Sequence, residues 1–139
     1  MKQASTLLEI ETHGRGLTEI TRTVQEFVRT TGIRDGLLTA FCRHTSASLL
    51  IQENADPDVR HDLDVFFAKL SPVGQPGWHH NSEGPDDMSA HIRSALTQTS
   101  LGIPVVAGKL ALGTWQGVFL WEHRTSRHRR EVILHLMGE

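Results

Sequence analysis

The last third of the chain restricts the fold more than any other part. Four runs there read as strands: Ile103–Ala107, Lys109–Leu112, Gln116–His123 and Glu131–Met137, separated by Gly108, Gly113 and the polar turn Arg124–Arg130. Short apolar runs bounded by turn residues suit half-buried strands. A chain with this much strand must bury a sheet face and also cover its edges. With 139 residues, 38% of them hydrophobic, it has enough material for a real core. No repeat, linker or low-complexity tract divides it, so residues 1–139 are expected to form a single domain.

Upstream, Ala4–Thr12 reads as a first strand. After the Gly14-Arg15-Gly16 turn, Leu17, Ile20, Val24 and Phe27 recur at helical spacing, and Gly32 supplies a stop. Leu37–Arg43 and Ala47–Gln52 read as a hairpin of strands. Asp56-Pro57 opens a second helix with a cap and a preset first turn; Val59, Leu63, Phe66 and Leu70 are its predicted buried face. The Gly- and Pro-rich stretch from Val73 to Pro85 is long for a loop in a small domain, and such loops are usually functional or disordered. Asp86 or Asp87 then caps a short helix with Met88, Ile92, Ala95 and Leu96 predicted inward. The sum is an α+β domain, mostly antiparallel, with about three helices packed on one sheet face.

Composition removes several functions. A net charge of −2 gives no basic field for nucleic acid or anionic membrane. No apolar run approaches the roughly 20 residues needed to span a bilayer. The opening Met1–Ser5 lacks the apolar stretch of a signal peptide, so a cytoplasmic location is expected. The single cysteine, Cys42, excludes an internal disulfide and a Cys-rich zinc site, and reads as a small core residue. His-Glu-x-x-His, Walker and Gly-x-Ser-x-Gly patterns are missing, and Gly113-Thr-Trp-Gln-Gly117 reads as a tight turn entering a strand.

The chain has nine histidines, and histidine is the commonest metal ligand. In "FCRHTSASLLIQEN" (Phe41–Asn54), His44, Thr45 and Ser46 stand between two apolar runs, where a turn built only for folding would favour Gly, Asn, Asp or Pro. His80 lies in the long loop and His91 on the helix that the loop feeds. Three imidazoles would leave a metal open to water or substrate. Asp87 precedes His91 by one helical turn, so a carboxylate there could orient the imidazole or bind the metal itself. The alternative is three unrelated histidines, two on the surface and one held by a backbone carbonyl. Glu53 and Asn54 could line a cleft at the end of a strand or merely precede the Asp56 cap. The arginines Arg124, Arg127, Arg129 and Arg130 read as a solvated hairpin tip rather than an anion site. His61, between Arg60 and Asp62, reads as surface.

Three blocks are similar to one family. "HTSASLLIQENADPDVRHDL" (His44–Leu63), "EGPDDMSAHI" (Glu83–Ile92) and "LGTWQGVFLWEHR" (Leu112–Arg124) resemble, in order and spacing, the YjbQ family, also called secondary thiamine-phosphate synthases. The resemblance implies an antiparallel β-sandwich assembled as a homotrimer, with a histidine-lined site for a divalent metal ion, zinc foremost. Carried over residue by residue, its metal ligands would be His44, His80 (His79 the alternative) and His91. Asp86 would be the first acidic catalytic residue and Glu53 the second, with Thr45, Ser46 and Asn54 on the substrate. The activity implied joins a pyrimidine diphosphate to a thiazole phosphate with release of pyrophosphate, as a weak and secondary reaction. The partner implied is thus a small phosphorylated heterocycle. The loop Trp78–Ser82 departs from the more acidic or Tyr-containing loop of relatives. The competing reading is a non-enzymatic trimer that binds metal or a small ligand.

Overall fold

The computed structural model describes residues 1–139. Its elements, in chain order, are β1 Lys2–Glu11, β2 Gly16–Glu19, α1 Thr21–Thr31, β3 Gly36–Cys42, β4 Ala47–Glu53, α2 Pro57–Leu70, α3 Asp87–Leu96, β5 Ser100–Val106, β6 Lys109–Leu110, β7 Gln116–Glu122 and β8 Arg129–Gly138. They form two antiparallel sheets, β1-β8-β3-β5-β6 and β2-β7-β4. The fold is α+β, as the alternating patterns predict. No helix is long and apolar enough to cross a membrane.

The core lies between the sheets. Leu38, Ala40 and Cys42 of β3 with Val132, Leu134 and Leu136 of β8 meet Ala47 and Leu49 of β4 and Val118 and Leu120 of β7. Alternation puts these residues on the inner faces. Helix α1 adds Val24 and Val28 to the same core and ends at Gly32, whose φ of 70° is the left-handed value of a helix stop. Helices α2 and α3 lie over the three-stranded sheet, where the ring of Phe67 stands 5.0 Å from that of Trp121.

Four expectations need correction. Leu17 is not the first turn of a helix: it pairs with Trp121 in β2, and α1 starts only at Thr21. Strand pairing takes it because Ile20 N–H still donates to Val118 O at 2.8 Å. Strands β3 and β4 do not form a hairpin either. β3 pairs with β5 and β8, and β4 pairs with β7, so Arg43–Ser46 carries the chain from one sheet to the other. On α2, Phe66 and Leu70 are 52% and 53% exposed, because only the side bearing Val59, Leu63 and Phe67 rests on the sheet. The inward face of α3 is Asp87, Ser89, Ala90 and Arg93, while Leu96 is exposed. That helix covers polar groups, with Ser89 Oγ donating to Ser71 O at 2.5 Å, so its buried stripe is polar too.

Candidate metal centre

Residues of the long loop and of α3 converge at one point. His80 Nε2 lies 2.6 Å from Asp87 Oδ2, and His91 Nε2 lies 3.1 Å from the same oxygen. One donor atom from each of these three side chains falls within 4.8 Å of the others, so the group could hold a metal ion. The i, i+4 spacing puts Asp87 and His91 on one helical face, and the loop returns His80 to it.

The protonation pattern explains why a cation suits the place. His91 Nδ1 donates to the Thr45 carbonyl oxygen at 2.8 Å, and a carbonyl can only accept. In the neutral ring this leaves the Nε2 lone pair facing a carboxylate oxygen. Two acceptors in that position need a proton or a metal ion between them. Tetrahedral zinc with ligands at about 2.1 Å separates its donors by roughly 3.4 Å, so the His91 contact would open by about 0.3 Å and the His80 contact, on the loop, by about 0.8 Å. Asp87 is held in place from the other side, with its Oδ1 2.8 Å from Arg124 Nη1. Burial works against its charge, but the hydrogen bond from His80 and the charge of Arg124 keep its carboxyl below the usual carboxylate range. Clefts open on both sides. One of about 670 Å³ is shared by His44, Thr45, Ser94 and His91; the other, of about 400 Å³, is lined by Trp78, His80 and Asn81.

The remaining predicted site residues fall elsewhere. His44 is not in the group: its Nε2 accepts from Glu131 N–H at 2.7 Å, and burial and the Arg130 charge push its pKa down. Ser46 is 9% exposed, and its Oγ accepts from Arg130 Nη2 at 3.0 Å, so it anchors the crossover. Thr45 contributes its carbonyl to His91 and lines the larger cleft. Asp86 turns away from the two imidazoles to accept from Arg124 Nε and Thr125 N–H, each at 2.9 Å. Glu53 Oε2 accepts from Asp56 N–H at 3.0 Å, and Asn54 Nδ2 donates to Glu19 at 3.1 Å. Both stand at the far end of β4, about 20 Å from its Ala47 end at some 3.4 Å per residue. His79 is not in the group.

The arginine run is not simply a solvated tip. Arg124 binds Asp86 and Asp87, and Arg130 is 4% exposed, paired with Glu122 and bonded to Ser46. Thr12 completes that network by donating to Glu122 at 2.6 Å. Positive charge buried beside carboxylates was missed because a run of arginines has no periodicity to show which members turn inward. Cys42 is buried as expected, and burial pushes its thiol pKa up.

The chain matches the family described as UPF0047 protein YjbQ-like over residues 6–139. It is 56% identical over 138 residues to the UPF0047 protein sll1880 of Synechocystis, covering 99% of this chain and 94% of that protein. It is 47% identical over 104 residues to the UPF0047 protein YjbQ of Escherichia coli O157:H7, 75% of each chain. The crystal structure of a YjbQ/UPF0047-family protein from Clostridium acetobutylicum superposes with a TM-score of 0.86 at 34% identity, covering 95% of this chain and 99% of that one. A conserved hypothetical protein of Thermus thermophilus gives a TM-score of 0.85 at 37% identity, over 95% and 99% of the two chains.

Proposed function

The chain belongs to the YjbQ-like UPF0047 family, and from that premise we propose that it is a metal-dependent transferase acting on small phosphorylated heterocycles. The reaction implied by the resemblance is the joining of a pyrimidine diphosphate to a thiazole phosphate with release of pyrophosphate, as a weak, secondary activity. The observation that carries the reading is the convergence of His80, Asp87 and His91. Two imidazoles and a carboxylate suit zinc first among divalent ions and leave a coordination position free. A bound ion would supply positive charge to the departing diphosphate.

The chain's own residues have separate tasks in this reading. Arg124 and the Thr45 carbonyl hold Asp87 and His91 in orientation, which keeps the donors in place without rearrangement. The cleft beside Thr45 and His44 and the one beside Trp78 flank the group and would each seat a ring. Assaying the two phosphorylated precursors tests the reading. Turnover should vanish with a chelator and return with added divalent ion. Absence of metal-dependent turnover in the wild type would transfer the group to a binding module.

We also propose the homotrimer that the resemblance implies. The outer face of the five-stranded sheet leaves Leu7, Leu37, Phe41 and Met137 between 43% and 53% exposed, and no helix covers it. Apolar area of this kind marks association surfaces, and a closed ring would bury it. Sedimentation at low micromolar concentration should give about three times the 15.5 kDa chain mass; a stable monomer would overturn the assignment.

A further inference from the structure

Arg93 is buried to 1% exposure with no carboxylate bound to it. Its Nη2 reaches Ser71 O at 3.4 Å, while Nε and Nη1 have no partner. A guanidinium cannot shed its proton, so an unpaired one in the interior is unfavourable unless an anion or water answers it. His123, 2% exposed, supplies no negative charge to it. Its Nε2 shares a 2.8 Å bond with Ser48 Oγ, its Nδ1 is unpartnered, and burial and the Arg93 charge push its pKa down to about 3.

The charges acting on Arg93 are those of Arg15 and Asp64, which line a cleft of about 550 Å³ between the Gly14–Gly16 turn and α2. The same cleft is lined by His13, Arg60, His61 and Trp121, and Asp64 is its only acid. Arg15 donates to Asp64 through Nε at 3.0 Å and Nη2 at 3.4 Å. Arg60 lies over the Phe119 ring, 5.3 Å from its centroid, with a buried Nε that has no hydrogen-bond partner and an Nη2 whose hydrogen bond is a 3.4 Å contact with Asn54 O. The main-chain N–H groups of His13, Gly14 and Arg15 make no bond to another backbone group. Two guanidiniums, Arg15 and Arg60, therefore line the cleft with one carboxylate, Arg60 carries an unused donor, and the unpaired charge of Arg93 lies buried behind them.

We propose that this cleft is a second binding site, for the phosphate group of a small molecule, separate from the His80–Asp87–His91 group. Forked guanidinium donors and free amides are the groups that recognise a phosphate. The aromatic wall at Trp121 leaves room for a small organic substituent on it. No member of the metal group lines the cleft, so the inference stands whether or not that group binds an ion.

Calorimetric titration of the full chain with inorganic phosphate at low salt tests this. The wild type should bind, and Arg15→Gln or Arg60→Gln should each weaken binding about tenfold, as loss of a charge-assisted pair does. Asp64→Asn should tighten it severalfold, because it removes the carboxylate that competes for Arg15; a purely structural Asp64 would not give that sign. His91→Ala should bind phosphate like the wild type. Phenyl phosphate distinguishes the two sources of the group: tighter binding than inorganic phosphate assigns an aromatic ester, and equal or weaker binding assigns the free ion. No binding at millimolar phosphate, unchanged affinity in both arginine variants, or weaker binding in Asp64→Asn would overturn the proposal.

Discussion

Asp87→Ala should strip the protein of its divalent ion, lowering affinity by on the order of a hundredfold or more. One oxygen of this side chain stands within 3.1 Å of both imidazole nitrogens; Asp86 is occupied by Arg124 and Thr125, and Glu83 reaches His80 only at 3.8 Å from an exposed loop position. His91→Ala should come close to the same loss. His80→Ala should lose less, because His80 sits on a loop with its side chain 42% exposed, where water can take its position. His44→Ala should leave the ion in place and instead weaken the fold, since it removes the acceptor of Glu131 N–H. Elemental analysis after dialysis against a mild chelator measures all four. Asp87→Asn keeps the shape and removes only charge and basicity, and urea denaturation of each variant separates ion loss from misfolding. Wild-type ion content in Asp87→Ala would end the metal assignment, and a loss in His44→Ala equal to that in His91→Ala would return His44 to the coordination sphere.

The three members of the candidate metal group differ in how they could be read. His91 and Asp87 are four residues apart on a helix, and that spacing states that they share a face. His80 entered through its loop, and only the folded loop shows that it reaches Asp87 rather than His79 doing so. His44 illustrates the opposite. A histidine in an unexpected turn suggested a ligand, but the segment is polar because it passes between two sheets, where Arg130 and Glu131 use it for hydrogen bonds. Local pattern located the longer strands, missed β2, and could not say which sheet each joined. β3 and β4 look like hairpin partners because they are neighbours in sequence, whereas their pairing is decided by core faces contributed from distant parts of the chain. The polar stripe of α3 was hidden for a related reason. Its Met88, Ile92 and Leu96 present the better apolar face, and only the polar partners Ser71 and Asp86 with Arg124 explain why the other face is turned in.

Asp86→Asn should destabilise the protein by about 2 kcal/mol at neutral pH, so any loss of activity in it reports on the fold as well as on chemistry. The carboxylate accepts from Arg124 Nε, Thr125 N–H and Thr125 Oγ1, and ties the end of β7 to the start of α3. It makes no side-chain cap bond at the helix start, so the usual tolerance of a cap for asparagine does not protect it. Burial opposes its charge, but the hydrogen bonds from Arg124 and Thr125 outweigh that and lower its pKa from 3.8 to about 2. A pKa depressed by folding adds stability above the unfolded value and loses it as pH falls through the folded one. The contribution is therefore complete above about pH 5, about half gone at pH 3 and nearly absent below about pH 2. Urea denaturation of wild type and Asp86→Asn at pH 7 and at pH 3 reads this directly, because the stability difference should shrink by about half between them. A difference that does not narrow would assign Asp86 to packing instead of to its ion pair with Arg124. The same pair also borders the metal group, since Arg124 binds Asp87 through Nη1 while Nε binds Asp86. Loosening it should therefore weaken ion binding modestly even though Asp86 touches neither imidazole.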